Sequence, residues 1–194
     1  SIIERQVVHM AQLIDDLLDG SRERVGKFRI KSTTVDIVQI MVASIESCRT
    51  AIDTRRQRLR LQVPPGPIWV AGDPVRLAQI FSNLLDNASK YTLTGGDISL
   101  SLETHGNTAL ITIADSGVGV SPEALPHIFE LFVHEDHALR LHSGGLGIGL
   151  AVVRDLVEAH GGNVVATSAG KGRGSEFVVS LPIVLRQEEG VTKD

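Results

Sequence analysis

Asp115-Ser116-Gly117-Val118-Gly119 ends an alternating apolar run on a carboxylate and a glycine turn. Further on, Gly144-Gly145-Leu146-Gly147-Ile148-Gly149-Leu150 opens directly into a helical pattern. Few arrangements accommodate both. A strand must stop where the backbone bends sharply, and a helix must start with its first N–H groups bare. That combination points to sheet and helices in separate layers, with the two glycine segments at their junctions.

The rest of the chain supplies those layers. Residues 2–24 read as one helix, with Ile3, Val7, Met10, Ile14 and Leu17 in the 4-3-4-3 spacing of a helical-bundle seam. Gly20 and Gly26 mark its end. Residues 28–31 alternate like a strand. Residues 35–56 form a helix with Ile37, Ile40, Met41, Ser44, Ile45 and Cys48 on one face. Strands follow at 58–63 and 68–70. Asp73 caps a helix that has Pro74 in its first turn and runs to about Tyr91. Residues 97–103 and 108–114 make a hairpin. A short helix is expected over 122–132, a mobile loop over 133–145, a helix over 146–160, and strands over 164–167 and 176–181. The fold class is α+β: a two-layer α/β sandwich with a mixed sheet of about five strands and three helices on one face, preceded by a long helix. The opposite face must be polar or shielded.

Composition narrows the function. With 194 residues and a formal charge of −4, the chain fits one ordinary domain plus an appendage. An acidic balance is wrong for a nucleic-acid binder. Cys48 is the lone cysteine, which excludes a disulfide framework and suits a cytoplasmic setting. No apolar run has membrane-spanning length, and no signal peptide is visible. The chain opens inside an expected helix, so it reads as a piece of a longer protein, and any membrane anchor of the parent would lie upstream.

Three groups of residues carry chemistry. Asn83 and Asn87 are four apart and share a helix face, with Lys90 and Tyr91 on the next turn. Amide oxygens can complete a Mg²⁺ shell whose other ligands are phosphate and water. Lys90 can place a point charge on phosphate, and Tyr91 can cover a purine ring. Asp115 can accept from the adenine amino group, while Gly117 and Gly119 let backbone approach a ligand. Gly145, Leu146, Gly147, Ile148, Gly149 and Leu150 offer main-chain N–H groups to an anion. Taken singly, each group has a plain structural alternative: buried amides, a turn aspartate, a flexible linker. Neither a P-loop, a dinucleotide fingerprint nor a eukaryotic-type kinase loop is present.

Taken in order, these segments resemble the ATP-binding catalytic region of two-component sensor histidine kinases, within the gyrase/histidine-kinase ATPase superfamily and its Bergerat-type fold. The asparagine box spans 83–92 and the first glycine box 115–119. Ile128-Phe129-Glu130-Leu131-Phe132 is a phenylalanine box, 145–149 a second glycine box, and Gly172-Arg173-Gly174-Ser175-Glu176-Phe177 a last one. The resemblance implies that Asn87 ligates Mg²⁺ with Asn83 beside it, and that Lys90 meets phosphate and Tyr91 adenine. It implies that Asp115 binds adenine N6 with Ser175, through a water. Residues 133–143 would form an ATP lid anchored by Phe129 and Phe132, with Arg140 and His142 in it. Leu146 stands where many relatives have Thr or Ser.

The resemblance further implies a kinase that moves the ATP γ-phosphoryl to a histidine, then to an aspartate of a response-regulator receiver domain. Residues 1–25 would be the second helix of a dimerisation and phosphotransfer hairpin, through which the full-length protein forms a homodimer. Residues 26–185 would be the ATP-binding domain and 186–194 a polar tail. The acceptor belongs on a first helix outside this chain, so His9 is not it, and the fragment alone binds ATP without autophosphorylation. His134 and His137 read as loop residues rather than a metal pair, and His160 as a helix C-terminal cation. An ATPase or anti-sigma-type Ser/Thr kinase on the same fold, or a nucleotide-binding pseudokinase, are the alternatives.

Overall fold

The computed structural model describes residues 30–131 and 148–184. Strand β1 (Thr33–Asp36) leads into helix α1 (Ile37–Thr54), and strands β2 (Arg58–Gln62) and β3 (Trp69–Gly72) follow. Next come helix α2 (Pro74–Tyr91) and strands β4 (Asp97–His105) and β5 (Thr108–Asp115). Helix α3 (Gly149–Ala159) precedes strands β6 (Asn163–Thr167) and β7 (Ser175–Pro182). The expected helix at 2–24, the expected lid loop at 133–145 and the tail at 186–194 lie outside the described residues.

The main sheet has five strands in the order β2-β4-β5-β7-β6. β2 runs parallel to β4 and the other pairs are antiparallel, so the sheet is mixed. All three helices pack on one face, with α2 between α1 and α3. Period-two alternation sends Ile98, Leu100, Leu102, Ala109, Ile111, Ile113, Phe177, Val179 and Leu181 into the core. They meet Met41, Ile45, Leu77, Phe81, Leu84, Val153 and Leu156 from the helices. The other face is mixed: Arg60, Ser99, Ser101, Thr112, Glu176 and Ser180 alternate there with Ala114, Leu110, Val178 and Val165 at register-matched positions.

Several boundaries differ from expectation, each for a local reason. Ile30 and Lys31 are not in a strand; the first strand starts at Thr33 and pairs antiparallel with β3 in a separate two-stranded sheet. Val35 belongs to that strand, because Asp36 is the helix cap: its carboxylate accepts from the Val38 N–H at 3.0 Å. Over the described part of that segment, 122–131, the structure has turns and a single 3₁₀ turn at Leu125–His127, not an α-helix. Pro126 lacks the N–H that an α-helical ladder starting at Pro122 would use. The last helix begins at Gly149, not at 146.

Candidate nucleotide-binding site

Helix α2 is capped as its sequence suggests. Asp73 accepts from the N–H groups of Val75 (3.0 Å) and Arg76 (3.3 Å). Its buried stripe runs through Leu77, Ile80, Phe81, Leu84, Leu85, Ala88 and Ser89. Asn83, Asn87 and Lys90 follow at spacings of four and three and stay half-buried beside that stripe. The Asn83 amide donates to the Gly149 carbonyl at 3.5 Å, so the asparagine face abuts the start of α3. Ile148, the residue before α3, makes no side-chain capping bond, and Gly149 and Leu150 open the helix. Among the described residues no side chain caps those first N–H groups, an arrangement that suits an anion.

At the end of α2 the chain meets the first glycine box. The Tyr91 carbonyl accepts from the Val118 N–H at 3.0 Å. A Cβ at Gly117 would run into that carbonyl, which is why a glycine stands there. The Lys90 ammonium lies 4.9 Å from the centre of the Tyr91 ring, a cation–π contact. Across the sheet, Asp115 ends β5 opposite Ser175, which begins β7. Asp115 Oδ1 accepts from the Gly117 N–H at 2.8 Å, and Oδ2 accepts from the Ser175 hydroxyl at 2.5 Å. The Ser175 hydroxyl thus bonds Asp115 directly. Burial raises the Asp115 carboxyl above its ordinary range, although these hydrogen bonds oppose the shift. Phe129 packs edge-on against Phe177, with ring centres 6.3 Å apart, and so joins the phenylalanine box to β7.

One end of the sheet therefore gathers a half-buried carboxylate, two amides, a lysine, an aromatic ring and an uncapped helix start. Residues 72–185 match the profile of the histidine kinase-, DNA gyrase B- and HSP90-like ATPases. The chain belongs to that family. It is 33% identical over 181 residues to the signal transduction histidine-protein kinase BaeS of Escherichia coli K12, covering 93% of this chain and 38% of that protein. It is 35% identical over 190 residues to the sensor histidine kinase TrcS of Mycobacterium tuberculosis, covering 95% of this chain and 36% of that protein. The chain thus spans less than two fifths of either relative. Among solved structures, full-length ShkA in complex with AMPPNP aligns with a TM-score of 0.77 at 28% identity, over 93% of this chain and 37% of that one. The mycobacterial sensor histidine kinase MprB aligns with a TM-score of 0.69 at 28% identity, over 78% of this chain and 97% of that one.

In this member of the ATPase family, the expected residues at Asn83, Asn87, Lys90, Tyr91, Asp115, Gly117, Gly119, Ile148, Gly149, Leu150, Phe129 and Ser175 are all described. Phe132, Arg140, His142, Gly145, Leu146 and Gly147 lie outside the described residues, as do His134 and His137. Among the described residues, no cluster of three or more His, Cys, Asp or Glu could hold a metal by itself. A neutral amide donor fits Mg²⁺ only when phosphates and water supply the remaining oxygens.

One expectation is overturned. His160 is 5% exposed, and its Nε2 accepts from the Asp73 N–H at 3.0 Å. Nδ1 then holds the proton and donates to the Leu156 carbonyl at 2.7 Å. The ring is a neutral strut between α3 and the cap of α2, not a cation at a helix end. Two other residues escaped the sequence reading. Thr92 is buried, and its Oγ1 has no partner among the described residues. Ser168, after β6, binds the turn that follows Gly119. Ser168 reaches Val120 across 48 residues, and burial of Thr92 comes from tertiary packing, so no local pattern announces either.

Proposed function

We propose that this chain is the ATP-binding catalytic module of a sensor histidine kinase, taking up ATP with Mg²⁺ and delivering the γ-phosphoryl to a histidine. The Asp115 carboxylate, with Gly117 and Ser175 fixing its two oxygens, carries this reading. Each carboxylate oxygen keeps lone-pair capacity for the adenine 6-amino group. Tyr91 then covers the ring, and Lys90 lies close enough to move from the Tyr91 face to a phosphate. Asn87 would hold the metal with Asn83 adjacent; when bound, Mg²⁺ neutralises phosphate charge and orients the triphosphate. The uncapped N–H groups at Ile148, Gly149 and Leu150 serve the phosphate chain.

Asn83 also bears on what happens to bound ATP. An amide has no useful basicity and cannot activate water. The site therefore retains the γ-phosphoryl for transfer, and catalysis is chiefly positioning and charge neutralisation. In the parent protein the phosphoryl group would pass on to an aspartate of a response-regulator receiver domain. Dimerisation would run through the helix expected at 2–24, in a cytoplasmic setting.

The test is titration of a fluorescent adenine nucleotide, with and without Mg²⁺, on the wild type and on Asp115→Asn. A hydrogen bond to a charged group is worth roughly 1.5–3 kcal/mol, so the variant should bind about ten- to a hundredfold more weakly. Unchanged affinity in a folded Asp115→Asn protein disproves the adenine assignment. Asn87→Ala should instead remove the Mg²⁺-dependent part of binding and leave the metal-free part in place.

A further inference from the structure

Ser168 lies in the loop between β6 and β7, outside the glycine boxes. Its hydroxyl uses every hydrogen-bonding position it has. Oγ accepts from the Val120 N–H at 2.9 Å and from the Gly170 N–H at 3.3 Å, and it donates to the Gly174 carbonyl at 2.7 Å. Val120 directly follows Gly119 in the turn that starts at Asp115. Gly174 directly precedes Ser175, the residue whose hydroxyl holds Asp115 Oδ2. One side chain thus pins both segments that hold the purine-reading carboxylate.

The two segments interlock closely. The Gly172 N–H donates to the Val118 carbonyl at 2.6 Å, and the Gly174 N–H to the Gly117 carbonyl at 3.1 Å. A Cβ at Gly119 would collide with the Gly170 carbonyl, and one at Gly174 with the Asp115 carbonyl. Backbones this close tolerate little sliding. Gly119, Gly170, Gly172 and Gly174 all have positive φ, so the loops contain few side chains of their own to hold their register. The Ser168 hydroxyl supplies a fixed point.

We propose that Ser168 is a positioning residue for purine selectivity. It sets the distance between the turn that holds Asp115 Oδ1 and the serine that holds Oδ2. It touches no nucleotide and acts through Asp115, so the inference rests on the adenine reading of that residue. Removing the hydroxyl frees the Val120 N–H and the Gly174 carbonyl together. The carboxylate then loses its aim, while the phosphate-binding start of α3 is left intact.

The experiment compares ADP with inosine diphosphate, which carries a carbonyl in place of the 6-amino group, by calorimetric titration of the 194-residue chain. Wild type should prefer ADP. Ser168→Ala should lose about tenfold of that preference, the scale of one hydrogen bond to a charged group, with inosine diphosphate affinity little changed. Ser168→Thr, which keeps the hydroxyl, should restore it. Ser168→Cys keeps the volume but bonds weakly; it should fall between and gives the same readout if the alanine variant does not fold. A wild type that prefers ADP, with folded Ser168→Ala or Ser168→Cys keeping that preference unreduced, overturns the role of Ser168 alone. Equal loss of both nucleotides makes the serine merely structural and also overturns it. A wild type with no preference removes the adenine reading, and the proposal with it.

Discussion

Asp115 already has a protein donor on each oxygen, yet burial still holds its carboxyl above the ordinary range. An adenine amino group adds a third donor, and it favours the ionised form. Nucleotide binding should therefore lower this pKa and release a proton near it. The sign follows by linkage: affinity is full above the raised pKa of the free site and falls as the pH drops through it. Calorimetry in buffers of different ionisation enthalpy should detect proton release on ADP binding in mildly acidic solution, and none in Asp115→Asn. The place of this carboxylate at a strand end was legible in the alternation, but its identity alone is not decisive, because a turn aspartate also bonds its own backbone, as Asp115 does at Gly117. His160 was not legible. Its neutral state depends on an N–H 87 residues away, which no periodicity registers.

At the scale of elements, the N-terminus of α2 concentrates several contacts. Asp73 caps Val75 and Arg76 and also accepts from the Lys31 N–H at 3.0 Å, while its own N–H is held by His160. Burial alone would raise its carboxyl, but the three backbone donors outweigh that and hold it below the ordinary value. A lowered carboxyl stabilises the fold at neutral pH, and that contribution is lost on acidification through the folded-state value. Asp73→Ala should cost about 1–2 kcal/mol at neutral pH, and less in acid, as read from urea unfolding across pH. The cap, like Pro74, was plain from sequence. The two-stranded β1–β3 sheet was not, because four-residue strands carry too few alternations to stand out from a loop. Residues 122–132 misled for a related reason: apolar spacing suggested a helix, while Pro126 barred one of its hydrogen bonds. At the sheet margin, Arg58 makes a bidentate pair with Asp97 (2.9 and 2.7 Å). So exposed a pair adds little stability, but charge along an outer strand discourages pairing with another chain.

For the molecule as a whole, the site is a seam where both layers meet. Asn83 faces the start of α3, and Tyr91 faces the turn after β5. A ligand there bridges helices and sheet, so binding should stabilise the entire domain. At a hundredfold excess over Kd, mass action supplies about 2.7 kcal/mol. For a domain of this size that is a Tm rise of about 5–10 °C. Thermal unfolding with ADP and Mg²⁺ should show it, and Asp115→Asn at the same concentration should keep about half of the rise or less. The sandwich was legible because strand and helix periods both survive in the core residues. The outer face was only half legible, since the sequence required that it be polar or covered, and it mixes Ser99, Thr112 and Glu176 with Leu110, Val178 and Val165.

Cys48 is the one cysteine of the chain and lies on the buried face of α1. Its thiol is pushed up to about 12, by burial first and then by the neighbouring Asp86 carboxylate. A thiol so protected is a poor nucleophile at working pH, because the thiolate is the reactive form. Maleimide probes will therefore ignore the native fold. A cysteine engineered onto any exposed position becomes a unique chemical handle, and spin or fluorophore pairs can report on nucleotide binding without first stripping the protein of its own sulfur.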